Sequence, residues 1–180
     1  MSMLTDKYLP EFHFSEHHER LVSCAIEKVG PAVTGLNFSG SWIIRVLFAL
    51  RGMPARMMTL KGLDNSRFII LEKSPHELAI GLIGQFWRPS GNLQKFNPDE
   101  FISFKENGFC KAVWTFNVLA TKPNTTLVQT DTRIYCTDAK ALKKFSRYRL
   151  FIRPFSGLVR MEILRGIKKK AERPGSSGYF

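Results

Sequence analysis

At 180 residues the chain is long enough to bury the core of one domain without help from a metal or a disulfide. Three cysteines and the lack of any CxxC spacing exclude a disulfide framework and a cysteine-rich zinc module. The formal net charge of +12 is the strongest deviation from an ordinary composition, and 15 Phe with three Trp indicate a bulky core or an aromatic-lined cavity.

The N-terminal third predicts one strand and two short helices. Residues 1–10 are charged and lack an apolar stretch, so we expect no signal peptide. The predicted elements are a strand over 16–23, a helix over 25–36 that Gly30-Pro31 interrupts, and a helix over 42–50. No apolar run reaches the ~20 residues of a transmembrane helix. With so few cysteines, a reducing, cytoplasmic location is expected.

The rest of the chain predicts an antiparallel sheet followed by helix. Strand patterns cover residues 66–73, 77–88, 110–121 and 126–137, and Asn97 is placed to cap a short helix over 98–104. Asp138 can cap a helix to about Phe151, Pro154 interrupts it, and Ser156 can start another that ends near Glu172. Hairpin-linked strands without βαβ alternation predict one α+β domain over residues 1–173, with 174–180 as a disordered tail.

The last two strands form the clearest hairpin, with its turn at Pro123-Asn124. If Lys122 opposes Thr125, Trp114 opposes Arg133, and the apolar face of the first strand points inward together with one face of the second. That predicted inward face combines aromatic and charged side chains, namely Trp114, Phe116, Asp131, Arg133 and Tyr135.

Two interpretations of Asp131 and Arg133 remain open. Buried charges are costly unless paired, so the two could neutralise each other or line a polar part of a cavity and orient a ligand. A change of register by one residue would instead send both side chains to the other face and into solvent.

The C-terminal segment carries most of the positive charge, because residues 140–173 hold twelve Lys/Arg and two acidic residues. A broad apolar side that includes Ile163 and Ile167 predicts a core-facing helix. Arg160 lies within that side; it could extend outward to solvent, or point into a cavity as a counter-charge for an acidic ligand. The other Lys/Arg fit a solvated face, or a surface that contacts anionic membrane or nucleic acid.

No motif of an enzyme or a metal site stands out. His13, His17 and His18 cluster near the N-terminus, but His17 and His18 would face opposite ways on a strand, and Glu16 and Glu19 beside them fit a solvated edge. We therefore expect no metal and no cofactor. Cys110 and Cys136 lie at matching ends of the hairpin and are expected to be neighbouring, unreactive thiols. No catalytic residue can be named.

Three segments resemble the START-like, or polyketide-cyclase-like, helix-grip superfamily (SRPBCC), and most closely its bacterial members without an assigned activity. These segments are GQFWRP (residues 84–89), the hairpin KAVWTFNV…TTLVQTDTRIYCTD, and RPFSGLVRMEIL. The resemblance spans residues 16–172. It implies a curved antiparallel sheet around a long C-terminal helix, with a cavity that holds lipids, sterols, polyketides or other apolar molecules.

The resemblance also implies cavity positions, namely Trp87, Arg88, Trp114, Phe116, Asp131, Arg133 and Arg160. Tyr135 joins this set from the predicted inward face. The leading hypothesis is therefore a non-enzymatic protein that binds a small, mostly apolar ligand. The first alternative is a cyclase- or hydrolase-like enzyme that uses Asp131 with Arg133 or Tyr135. The second alternative is a module that binds nucleic acid or an anionic membrane through Lys140–Arg173.

Overall fold

The computed structural model describes residues 3–35 and 68–173. Its elements in chain order are α1 (Met3–Tyr8), β1 (Phe14–Val22), α2 (Ile26–Thr34), β2 (Ile69–Lys73), β3 (Glu77–Gly84), α3 (Pro98–Ser103), β4 (Cys110–Lys122), β5 (Thr125–Cys136) and α4 (Ala139–Ala171). The helix predicted over residues 42–50 and the tail predicted over 174–180 lie outside the described residues. The extent of the single domain stays a prediction.

Five strands form one antiparallel sheet in the order β1-β5-β4-β3-β2. The first two strands of the chain thus lie at opposite edges, and the β4–β5 hairpin lies between them. Helix α4 follows the last strand and packs mainly on α2, β1 and β5. The predicted α+β fold is confirmed: a curved sheet holds a long C-terminal helix in the helix-grip arrangement that the sequence resemblance implied.

The sheet face toward α4, which we call the inner face, carries the larger core. Strand alternation brings apolar residues of four strands to this face, and α4 adds its own at helical spacing. These almost fully buried side chains are Val22, Leu78, Ile80, Phe116 and Val128 from the strands and Ile163, Leu164 and Ile167 from α4. The predicted core-facing side of the C-terminal helix is therefore confirmed.

The opposite, outer face of the sheet is covered by α1 and α3. Its core joins the helix side chains of Leu4, Tyr8 and Phe101 to those of Ala79, Ile83 and Val113. Strands β3 and β4 are therefore buried on both faces, which explains the nearly continuous apolar run of β3. Helix α1 was not predicted, because six residues are too few to show a helical period.

The C-terminal helix is continuous, so the predicted break at Pro154 is wrong. Proline removes one intrahelical hydrogen bond, which here leaves the carbonyl of Leu150 without its usual N–H donor. Both Pro154 and Leu150 are exposed, so water can bond that carbonyl. Packing of Phe145 before the proline and of Ile163 after it holds both halves of α4 on the sheet.

Two predicted boundaries in the middle of the chain have different outcomes. The strand predicted over residues 77–88 ends at Gly84, because Gln85 closes a turn by donating its backbone N–H to the carbonyl of Gly91 at 2.7 Å. The cap at Asn97 is confirmed. Its side chain accepts from the backbone N–H of Glu100 at 2.8 Å, and the Glu100 carboxylate accepts from the backbone N–H of Asn97 at 2.7 Å.

We predict that Phe116→Ala lowers the free energy of unfolding by about 3–5 kcal/mol. The Phe116 ring is 0% exposed and fills the core between the sheet and α4. Urea denaturation followed by circular dichroism measures the loss. Leu119→Ala is the control, because Leu119 lies on the same strand and is 41% exposed. A loss at Phe116 no larger than that at Leu119 would contradict this packing.

Candidate functional site

A β-bulge in β4 decides which side chains of the hairpin face α4. The turn lies at residues 123–124, as predicted. Thr121 is not paired in the strand register, however, because the pairing shifts by one residue between its two neighbours. Trp114 consequently faces Thr132 and not the predicted Arg133.

Asp131, Arg133 and Tyr135 therefore point to the outer face of the sheet, away from α4. Their predicted inward orientation is wrong, because a shift of one residue reverses the face of every side chain on a strand. Trp114 lies on the inner face, so it cannot share one pocket with these three residues.

Arg133 is held beneath the N-terminal segment. Its guanidinium forms an ion pair with Asp6 at 2.7 Å and donates to the carbonyl of Leu9 at 3.2 Å. It also lies 4.5 Å from the ring centre of Phe12. The Arg133 side chain is only 7% exposed, so these partners offset its desolvation and fasten α1 to the sheet.

Asp131 pairs with a histidine and not with Arg133. Its Oδ1 lies 2.7 Å from Nδ1 of His17, directly across the β1–β5 pair. The other ring nitrogen of His17 lies 3.3 Å from Glu19. The hydrogen bond to Asp131 is the main cause that raises the pKa of His17, and burial opposes it in part. These carboxylates thus favour the charged imidazolium.

The inner face also carries side chains that α4 leaves half-buried. We call Ile70, Leu82 and Trp114 the Trp114 patch; all three are half-buried and pack against the edge of the main core. The Trp114 indole donates its N–H to Oγ1 of Thr130 at 2.7 Å. Its ring centre lies 4.9 Å from that of Phe116. The orientation of the patch is thus fixed by the strands beneath it.

Arg160 points into the interface between α4 and the sheet. Its guanidinium forms an ion pair with Glu16 at 2.7 Å, donates to Oγ1 of Thr132 at 2.8 Å and contacts the hydroxyl of Ser156. The side chain is 12% exposed, so the interpretation that it extends outward to solvent is wrong. Burial lowers the pKa of Arg160, and the Glu16 carboxylate acts in the opposite direction.

A cavity of about 30 Å³ lies beside this ion pair. That volume holds a few water molecules at most. The side chains around it come from β1, β5 and α4 and include Phe14, Glu16, Thr132, Phe145, Ser156 and Arg160. The arrangement can bind water or a small polar group with hydrogen bonds, next to an otherwise apolar interface.

Trp87 and Arg88 follow β3 in a turn and do not belong to a strand. Trp87 is half-buried against the cluster around Phe145, and Lys144 lies 5.8 Å from its ring centre. Arg88 is exposed, and its backbone N–H donates to the carbonyl of Gln85 at 2.9 Å. Trp87 therefore packs against α4 in a different cluster from the Trp114 patch, and Arg88 faces solvent.

The two hairpin cysteines are neighbours, as predicted. Cys110 and Cys136 are paired in register, both are buried, and their Sγ atoms lie 3.2 Å apart. The hydrogen bond to Cys136 and burial raise the pKa of the Cys110 thiol. A thiol that stays protonated is a poor nucleophile, so this pair serves packing.

Across residues 3–35 and 68–173, no group of three or more His, Cys, Asp or Glu is arranged to hold a metal ion. Within the same ranges, no helix is both long enough and apolar enough to cross a membrane.

Three solved structures resemble this chain in arrangement. Norcoclaurine synthase from Thalictrum flavum, in complex with dopamine and hydroxybenzaldehyde, has a TM-score of 0.37 at 10% identity, over 94% of this chain and 91% of that one. The aromatase/cyclase Zhui from a Streptomyces species has a TM-score of 0.36 at 11% identity, over 92% of this chain and 99% of that one. The di-domain aromatase/cyclase BexL has 0.36 at 12% identity, over 89% of this chain.

This chain spans about half, 47%, of the length of that di-domain protein. No family model matches the chain, and no curated protein matches it. TM-scores at this level do not carry a function across. The class of protein is therefore defined here by the strand order and by α4 alone, and that class is a helix-grip protein.

Sequence reasoning missed the polar partners of Arg160. Glu16 was interpreted as part of a solvated edge, yet it lies on the same face of β1 as the half-buried Phe14 and the buried Val22. That alternation was the available signal for Glu16. Ser156 lies one helical turn before Arg160, but spacing alone could not show that the two side chains meet.

We predict that Arg160→Met lowers the free energy of unfolding by about 2–3 kcal/mol, because it leaves the Glu16 carboxylate without its cation in a largely buried place. Chemical denaturation measures the loss. The double change Glu16→Gln with Arg160→Met should regain part of it. Arg165→Met is the control, because the Arg165 side chain is 56% exposed in its ion pair with Glu162. Equal losses for Arg160→Met and Arg165→Met would be incompatible with a buried ion pair.

We predict that His17 titrates above the ordinary value of 6.5 and that His18, whose pKa is lowered by burial and by Arg160, titrates below it. Because the pKa of His17 is raised in the folded state, its contribution to stability is complete below pH 6.5. The contribution is lost as the pH rises through the raised pKa. NMR titration of the imidazole Hε1 signals measures both values, with His17→Gln for assignment. A His17 value at or below that of His18 would refute the Asp131 contact.

Proposed function

We propose that this protein binds a small, mostly apolar ligand against the inner face of the sheet, at the Trp114 patch. The observation that carries the proposal is that Ile70, Leu82 and Trp114 remain half-buried at the edge of the core that α2 and α4 close on the inner face. Aliphatic and aromatic side chains at a fixed, concave surface are the usual walls of a ligand site.

The polar groups beside the patch favour a neutral ligand. Trp114 faces Thr132 across the hairpin, and Thr132 accepts from Arg160, so a polar end of a ligand at Trp114 lies near this cluster. The charge of Arg160 is already compensated by Glu16. An anionic ligand would have to displace that carboxylate, whereas a hydroxyl or carbonyl group could add to the network.

The enclosed space limits where the ligand lies. Pockets for drug-sized molecules span roughly 300–1,000 Å³, whereas the cavity beside Arg160 has about 30 Å³. The ligand therefore lies over the Trp114 patch, and at most a small polar group reaches the cavity. Phe116 is fully buried beside Trp114 on the same face of β4, and its ring packs against the indole.

The other predicted site residues are not part of this proposal. Asp131, Arg133 and Tyr135 lie on the outer face, and Trp87 and Arg88 lie in the turn after β3. The enzyme alternative depended on Asp131 beside an apolar pocket. No observation now favours that alternative over binding, so we propose no reaction.

We predict that Leu82→Trp abolishes ligand binding by filling the patch, while the protein stays folded. Fatty alcohols, sterols and planar aromatic polyketides are offered to the full chain, and binding is measured by calorimetry and by native mass spectrometry. At least a tenfold weaker affinity is expected, because the added indole occupies the contact surface of the ligand.

Leu119→Trp makes the same chemical change at an exposed position of the neighbouring strand, and it should bind like the unchanged protein. Failure of every ligand class to bind the unchanged protein would overturn the proposal. So would equal binding by Leu82→Trp and Leu119→Trp, because the ligand would then lie elsewhere.

A further inference from the structure

The outward side of α4 carries large apolar side chains in solvent. Leu150 and Phe151 are each 76% exposed, Phe155 is 48%, Leu158 is 47% and Met161 is 40% exposed. We call these five residues, together with the exposed Pro154, the outer stripe. Single exposed apolar residues are common, but a contiguous group is not, and such a group marks an interaction surface.

Helical spacing aligns the outer stripe on one side of α4. Four of its members recur at intervals of three and four residues, namely Leu150, Pro154, Leu158 and Met161. Phe151 and Phe155 each follow one of these residues directly and widen the apolar side. At 1.5 Å per residue the outer stripe is roughly 17 Å long. The core-facing residues Ile163 and Ile167 point the opposite way, so the outer stripe is additional to the packing of α4 on the sheet.

Exposed cations occupy both ends of the same side. Lys143, Lys144 and Arg147 precede the outer stripe, and Arg165 and Lys169 follow it. Helix α4 holds eleven Lys/Arg and one acidic residue, and that acid, Glu162, lies 3.5 Å from Arg165. The outward side is thus apolar in its middle and strongly positive at its ends.

This charge pattern selects one kind of partner. A second copy of the chain would bring like-charged ends together, which costs binding energy. A nucleic acid would satisfy the cations but leave two Phe, two Leu and one Met facing phosphates. An anionic lipid surface satisfies both parts, because its headgroups are negative and its acyl region accepts the apolar side chains.

We propose that the outward side of α4 docks the protein on an anionic lipid bilayer, with the helix axis parallel to the surface. The outer stripe enters the boundary between headgroups and acyl chains, and the two basic ends contact the headgroups. An open groove of about 410 Å³ adjoins the outer stripe between α4 and His18 of β1, and Leu158 and Met161 line it. It gives an acyl chain room beside the docked helix.

The outer stripe lies on the side of α4 that faces solvent, whereas the Trp114 patch lies on the inner face of the sheet. Docking on a membrane is therefore independent of ligand binding at the patch. The Leu82→Trp protein should therefore sediment with vesicles like the unchanged protein. This separates the two experiments, since either one can fail while the other succeeds.

Vesicle sedimentation tests the docking of the full chain. Vesicles of phosphatidylcholine alone are compared with vesicles that contain phosphatidylserine at three parts in ten. We expect binding to the anionic vesicles that weakens as salt is raised, and at least tenfold weaker binding to the neutral ones. Phe151→Ser with Phe155→Ser should reduce binding to anionic vesicles at least tenfold, and Lys143→Glu with Arg147→Glu should do the same.

Leu21→Ser with Leu119→Ser is the matched control. Both side chains are exposed, at 56% and 41%, and both point to the outer face of the sheet, away from α4, so their loss should leave vesicle binding unchanged. Insertion is measured separately on Phe155→Trp, whose fluorescence brominated lipids should quench, while Leu119→Trp should show no quenching beyond that of the unchanged protein.

Three results would overturn the proposal. The first is a folded protein that does not bind anionic vesicles. The second is vesicle binding that the serine changes at Phe151 and Phe155 leave intact. The third is a dimer in solution, or tight binding to duplex DNA or RNA, that those changes abolish while vesicle binding is absent.

Discussion

The pairing of β4 with β5 is the constraint on which the candidate site depends. Lys122 faces Thr125 at the turn, and the single extra residue Thr121 then moves every later pair by one. Without the bulge, Arg133 would lie on the inner face, where its partner Asp6 could not reach it. With the bulge, Arg133 holds α1 to the outer face, and Trp114 gains Thr132 as its neighbour. The extra residue Thr121 thus places Arg133, which has a structural role, on the outer face and away from the face proposed to contact the ligand.

A second largely buried cation, Arg160, sets the polarity of the contact between α4 and β1. Apolar side chains in place of both Arg160 and Glu16 would pack at least as well, since buried ion pairs rarely add stability over apolar replacements of the whole pair. The three partners of Arg160 come from two strands and one turn of α4. Such a network favours one rotation of α4 about its axis. That rotation is also the one that leaves the outer stripe in solvent.

The sequence was sufficient for the elements with strong local signals. Alternation of apolar and polar residues predicts the hairpin, cap chemistry predicts the caps at Asn97 and Asp138, and helical spacing predicts the apolar side of α4. The structure confirms all of these features. The orientation of Asp131 and Arg133 could not be predicted, because a bulge leaves no mark in the alternation of β4. Continuity of α4 through Pro154 was equally hidden, since it depends on packing at both ends of the helix.

Pro154 also divides α4 into two halves that can unfold locally and independently of each other. The residues before it pack with Cys110, Cys136 and Phe145, and those after it pack in the separate core around Ile163. The hydrogen bond that proline removes lies at the point of α4 where these two packing clusters meet. Opening of one half therefore need not disturb the other, since regions with their own contacts unfold as separate units. In amide hydrogen exchange, α4 would then behave as two short helices that share an axis, with the fastest exchange in the turn around Pro154.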